Sequence, residues 1–90
     1  MSNSLVSVNR CVIAIDAGTT GVRSRAIFPA GNRPAGQDSI VAAYREFTQY
    51  FPENGWVEHD AEEIWQVVLA TLSEVIGRVG AETVAAIGIT

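Results

Sequence analysis

Lysine is missing altogether from the 90 residues of this chain, and its positive charge rests on six arginines, mostly scattered. Against ten acidic residues these leave a formal net charge of −4. Nucleic-acid surfaces are built from clustered Lys and Arg, so this balance argues against one, and no nucleic-acid partner is expected. Cys11 is the single cysteine. It excludes an internal disulfide and a zinc site made of thiolates, and beside Val12 and Ile13 it reads as a buried, inert thiol in a reducing compartment. No run approaches the ~20 apolar residues of a membrane span. Residues 1–10 lack the apolar core of a signal peptide. These absences predict a soluble, cytoplasmic chain without a membrane partner. Its length allows one small domain.

What is present is apolar patterning broken by turns. Residues 1–10 are small and polar and read as a flexible lead-in. Cys11-Val12-Ile13-Ala14-Ile15 is a continuous apolar run of strand length, as expected of a central strand covered on both faces. A second strand follows from Val22 to Phe28. Its alternation places Val22, Ser24, Ala26 and Phe28 on one face and Arg23, Arg25 and Ile27 on the other. Pro29 and the Gly31–Gly36 segment form a loop, a third strand runs from Ser39 to Phe47, and Thr48 to Glu58 is an ordered loop. A helix then starts at Asp60 as cap, with Glu63 three positions later. Ile64, Val68, Leu72, Val75 and Val79 form its apolar stripe, which Trp65, Leu69 and Ile76 widen. Arg78 and Gly80 suit its end. Thr83 to Ile89 is a last strand, expected to lie parallel to a neighbour because a helical crossover precedes it. The order is β-β-β-α-β, an α/β fold with a mixed sheet.

Chemistry is concentrated in Asp16-Ala17-Gly18-Thr19-Thr20. A carboxylate ends a buried strand, and a glycine and two hydroxyls follow in a tight turn. Exposed N–H groups in such a turn form a concavity for an anion. The Thr hydroxyls add donors, Gly18 lets a phosphate approach, and Asp16 suits Mg²⁺, which prefers oxygen ligands. Positioning groups, charge neutralisation and a metal are the parts of phosphoryl transfer. The same residues also suit an ordinary hairpin turn in which Asp16 caps its own backbone. The turn is not a Walker A loop, since Gly-Lys-Ser/Thr is absent. It is not a dinucleotide fingerprint either, because it leads into a strand.

The buried strand, this turn and the strand after it resemble the first phosphate-binding hairpin of the actin-like ATPases, which have a ribonuclease H-like fold. Arg45-Glu46-Phe47-Thr48-Gln49-Tyr50-Phe51-Pro52, then Gly55-Trp56-Val57-Glu58-His59-Asp60 and Glu63-Ile64-Trp65, narrow this to the FGGY family of carbohydrate kinases, whose glycerol kinases they closely resemble. Ala85-Ala86-Ile87-Gly88-Ile89-Thr90 resembles the strand leading to that family's substrate loop. The likeness covers residues 11–90, as the N-terminal part of the family's first domain.

This resemblance implies ATP-dependent phosphorylation of glycerol by an intact, homo-oligomeric enzyme, with ATP and Mg²⁺ as cofactors. Asp16 is then the magnesium-associated carboxylate and Gly18 the close-approach glycine. Thr19, Thr20 and Gly21 bind the nucleotide phosphates, with Thr19 nearest the transferred group. Arg23, ranked ahead of Arg25, holds the phosphates as well. Gly21 stands where the family often has Ser. Trp56 and Trp65 are expected to pack against the sheet, and His59 to be a surface or packing residue. The family's substrate-binding Arg-Glu pair and catalytic base are expected beyond Thr90, so the 90 residues alone are expected to lack kinase activity. Other readings are a pentulose or gluconate kinase of the same family, a chaperone- or actin-like ATP-binding module, and an inactive truncated fragment.

Overall fold

A computed structural model describes residues 9–55 and 57–90. The lead-in up to residue 8 and Trp56 lie outside the described residues. The first apolar run becomes strand β1 (Cys11–Ala17), followed by β2 (Gly21–Ile27), β3 (Ile40–Glu46), helix α1 (Ala61–Val79), a 3-10 turn (Ala81–Thr83) and β4 (Val84–Ile89). The expected β-β-β-α-β order holds, with strand ends displaced by one or two residues, the ordinary uncertainty of such boundaries.

The four strands form one sheet in the order β3-β2-β1-β4. β1 pairs antiparallel with β2, and β2 antiparallel with β3. The helical crossover returns β4 parallel to β1, with Ile13 opposite Ile87 and Ile15 opposite Ile89. β1 is therefore central, as its composition indicated.

Period-2 alternation decides which side chains meet the helix. Ile13 and Ile15 of β1, Val22, Ser24 and Ala26 of β2, and Val41 and Ala43 of β3 are buried together with Val68, Thr71, Val75 and Val79 of α1. Each fully buried aliphatic side chain contributes about 1.5–3 kcal/mol of transfer free energy. Ser24 and Thr71 are the polar members of this layer, and their hydroxyls lie 2.8 Å apart. Thr71 also donates to the carbonyl of Val68 at 3.2 Å. A threonine hydroxyl has one proton, so Ser24 is the donor to Thr71.

Two expectations are corrected. β1 is not covered on both faces among the described residues. Val12 is 44% exposed and Asp16 is exposed, because α1 lies on one side of the sheet. Nor do Trp65 and Leu69 widen the buried stripe. They are 52% and 36% exposed, since the inward line runs through Val68, Thr71, Val75 and Val79 and these two project away from it. Trp65 therefore does not pack against the sheet.

The helix ends follow the sequence signals. The Asp60 side chain accepts from the N–H of Glu62 at 2.9 Å, satisfying one of the unpaired donors of the first turn. Gly80, at φ +89°, donates its N–H to the carbonyl of Ile76 at 2.8 Å. Arg78 in the last turn donates to the carbonyl of Ala42 at 3.3 Å. Cys11 is buried, with its Sγ 3.6 Å from Thr83 Oγ1. The ordered loop after β3 closes on itself through paired hydrogen bonds between Tyr50 and Glu58 at 2.7 and 2.9 Å. His59, as expected of a surface packing residue, meets the Phe47 ring edge-on, with centroids 4.8 Å apart.

Candidate functional site

The inward, buried line of β1 ends at Ile15, and Asp16 is the first polar side chain after it. The chain reverses over Gly18, Thr19 and Thr20, closed by the N–H of Gly18 donating to the carbonyl of Gly21 at 2.9 Å. β3 braces the reversal from the other side, since the N–H of Phe47 donates to the carbonyl of Thr20 at 3.2 Å. Asp16, Gly18, Thr19 and Thr20 are all exposed. Among the described residues, the N–H groups of Thr19 and Thr20 have no backbone acceptor. The turn thus presents two unpartnered N–H groups and two hydroxyls beside a carboxylate, a donor-lined concavity of the kind that accepts anions.

The register brings the charged residues to the same end. Arg23 lies directly opposite Asp16, and Arg25 opposite Ala14. These four residues line one small depression on the face of the sheet away from the helix. Arg23 is thus two residue pairs nearer the turn than Arg25. The arginine does not neutralise its neighbour. The ion pair among the described residues joins Arg45 to Glu74 at 3.9 Å, whereas the Arg23 guanidinium lies over the Tyr44 ring, 4.9 Å from its centroid.

Gly18 and Gly21 differ in kind. A Cβ on Gly18 would make only ordinary contact with the carbonyl of Gly21 at 3.7 Å, so the protein itself leaves room for one. Gly21 is buried, and a Cβ there would lie 2.5 Å from the carbonyl oxygen of Arg45 and 2.6 Å from the Tyr44 hydroxyl. The absence of a serine side chain at this position has a local cause, because the space is filled. Gly21 being covered, the exposed N–H groups of the turn are those of Thr19 and Thr20.

Tyr44 is the residue that reasoning from sequence missed. Its hydroxyl lies 3.2 Å from Thr20 Oγ1, and it is Arg23's partner in the β2–β3 register. Strand alternation alone puts it on the face of Arg23, but the register that makes them neighbours follows a loop of a dozen residues and cannot be read from the pattern.

Oxygen donors for a cation come from one carboxylate. No group of three or more His, Cys, Asp or Glu side chains gathers among the described residues. Mg²⁺ binds by one or two carboxylates, water and substrate phosphates, so a single exposed Asp16 beside a donor-lined turn fits it.

The family model described as "FGGY family of carbohydrate kinases, N-terminal domain" matches residues 11–90. The chain belongs to the FGGY family of carbohydrate kinases. Its fold is accordingly that of the ribonuclease H-like, actin-like ATPase domain, here a mixed four-stranded sheet with one helix. Among FGGY relatives, the chain is 48% identical over 88 residues to a glycerol kinase of Gluconobacter oxydans (strain 621H), covering 94% of this chain and 16% of that protein. It is 47% identical over 81 residues to a glycerol kinase of Rhizobium meliloti (strain 1021), covering 88% and 15%. A glycerol kinase of Geobacillus kaustophilus (strain HTA426) is 46% identical over 85 residues, covering 92% and 16%. The chain thus spans about a sixth of the length of these relatives. No helix among the described residues is long and apolar enough to cross a membrane.

Proposed function

We propose that this FGGY segment is the phosphate clamp of a kinase that transfers the γ-phosphate of ATP to glycerol in the cytoplasm. The observation that carries the reading is the exposed turn after β1, where Asp16, the N–H groups of Thr19 and Thr20 and both hydroxyls converge opposite Arg23. The likeness to three glycerol kinases supports glycerol over a pentulose or gluconate.

Each residue has a stated part. Thr19 and Thr20 donate to the phosphate oxygens, and Thr19 lies nearest the group that moves. The Arg23 guanidinium neutralises phosphate charge from the opposite strand. Asp16 supplies the carboxylate that holds Mg²⁺, which when bound neutralises charge on the phosphates. Gly18 keeps the approach open. These contributions are positioning and electrostatic, the main work of phosphoryl-transfer catalysis. Thr90 donates its N–H to the carbonyl of Ile15 at 2.9 Å, so β4 also ends beside this turn. Ligands of open α/β sheets gather at such carboxyl ends.

The test is a chimera in which these residues replace the matching N-terminal part of the Gluconobacter oxydans glycerol kinase. Glycerol-dependent ADP release is expected, and Asp16→Ala or Thr19→Ala should lower kcat by about 100-fold or more. A folded chimera that turns over equally well with either substitution contradicts the clamp.

A further inference from the structure

We propose that Tyr44 is a positioning residue of the phosphate turn, its hydroxyl holding Thr20 and its ring holding Arg23, in space that only a glycine at position 21 leaves open. The inference rests on the reading of the turn as a phosphate site.

The case begins with Gly21. Its φ is not positive, so backbone conformation does not demand glycine there. Space does. A side chain would run into the Tyr44 ring, with Cζ at 2.7 Å and Oη at 2.6 Å from the first added carbon. The phenol therefore lies across the base of the turn. From there Tyr44 Oη reaches Thr20 Oγ1 at 3.2 Å, and the ring face carries the Arg23 guanidinium at 4.9 Å.

Both contacts act on groups already assigned to the clamp. Thr20 is exposed on a short reversal, and without a partner its hydroxyl would be free to rotate. Arg23 faces Asp16 across the strand pair, where opposite charges attract. A guanidinium held over an aromatic face keeps its charge and leaves the Asp16 carboxylate available. Tyr44 is itself 43% exposed, so burial alone does not account for an aromatic ring at this place. The geometry separates two effects. The hydroxyl orients Thr20, and the ring orients Arg23.

Calorimetric titration with magnesium tripolyphosphate tests this on the 90-residue chain, comparing wild type, Tyr44→Phe, Tyr44→Ala and Thr19→Ala, with urea unfolding of each. Tyr44→Phe keeps the ring and should weaken binding by about 3- to 10-fold with an unchanged unfolding midpoint, the loss expected of one hydrogen bond. Tyr44→Ala also releases Arg23 and should weaken it further, to about 10- to 50-fold. If wild type binds, Thr19→Ala does not, and both Tyr44 variants match wild type, the inference fails while the phosphate reading stands. A loss of affinity in Tyr44→Phe that comes with a matching fall in its unfolding midpoint assigns Tyr44 a packing role and also overturns it. If wild type does not bind, the phosphate reading itself fails, and the inference falls with it.

Discussion

Glu63, in the first turn of α1, accepts two hydrogen bonds from Thr48, one from its N–H and one from its hydroxyl, both at 2.8 Å. A Glu at this position would ordinarily reach back to the cap of its own helix. Here it ties the helix to the chain leaving β3. The residue before Thr48 is Phe47, whose N–H holds the carbonyl of Thr20. The helix start and the turn after β1 are therefore linked through two consecutive residues.

Glu63→Ala should remove both bonds and destabilise the chain by about 1–2 kcal/mol, the lower range for charge-assisted bonds because the site is exposed. Glu63→Gln keeps an acceptor and should lose less. Urea midpoints of the two variants check the order, and equal stability of wild type and Glu63→Ala would refute the link.

The buried hydroxyl pair makes an asymmetric prediction. Ser24 donates to Thr71, and Thr71 donates to Val68. Thr71→Val strands the Ser24 proton in the core and should cost about 1–3 kcal/mol. Ser24→Ala leaves Thr71 its own acceptor and should cost less. Because a stranded donor is the source of the penalty, the double variant should be more stable than the sum of the single losses implies. Thermal or urea unfolding of the three variants decides it.

Much of this architecture could be read from the residues themselves. In β2 the alternation of Val22, Ser24 and Ala26 against Arg23, Arg25 and Ile27 assigned both faces, because a strand has no freedom to place successive side chains otherwise. Asp60 and Gly80 marked the helix ends by chemistry specific to those positions. The buried stripe follows helix angle and not hydrophobicity alone. Trp65 and Leu69 are apolar but point outward, and Thr71 is polar but lies on the inward line between Val68 and Val75. At the site, Asp16 to Thr20 are contiguous and so were legible. Tyr44 joins them only through the β2–β3 register, which depends on contacts distant in sequence.

Gly80→Ala should destabilise by about 1–2 kcal/mol, because a side chain at φ +89° is strained. The nearest obstacle to its Cβ is the flexible Glu82 side chain, which can move aside. A Glu82→Ala background should therefore leave the penalty nearly unchanged in urea unfolding. Full rescue there would show that crowding and not backbone strain sets the cost.

Gly21→Ala should be worse, at about 2–4 kcal/mol, since one of its obstacles is the backbone carbonyl of Arg45, which moves only if β3 parts from β2. Combining it with Tyr44→Ala should recover only part of the loss. Complete recovery would show that the tyrosine ring alone forbids a side chain there.

The central claim is that the turn after β1 grips the phosphate tail of a magnesium nucleotide. Amide shift mapping of the 90-residue chain during titration with Mg-ATP tests it most directly. The account predicts that the N–H signals of Thr19 and Thr20 move first and furthest, and that Arg23→Ala weakens the response by about tenfold. Arg25→Ala should weaken it less than about threefold, since it lies two residue pairs further from the turn. Saturating Mg-ATP that leaves Thr19 and Thr20 unmoved, or a response centred elsewhere on the sheet, would contradict it.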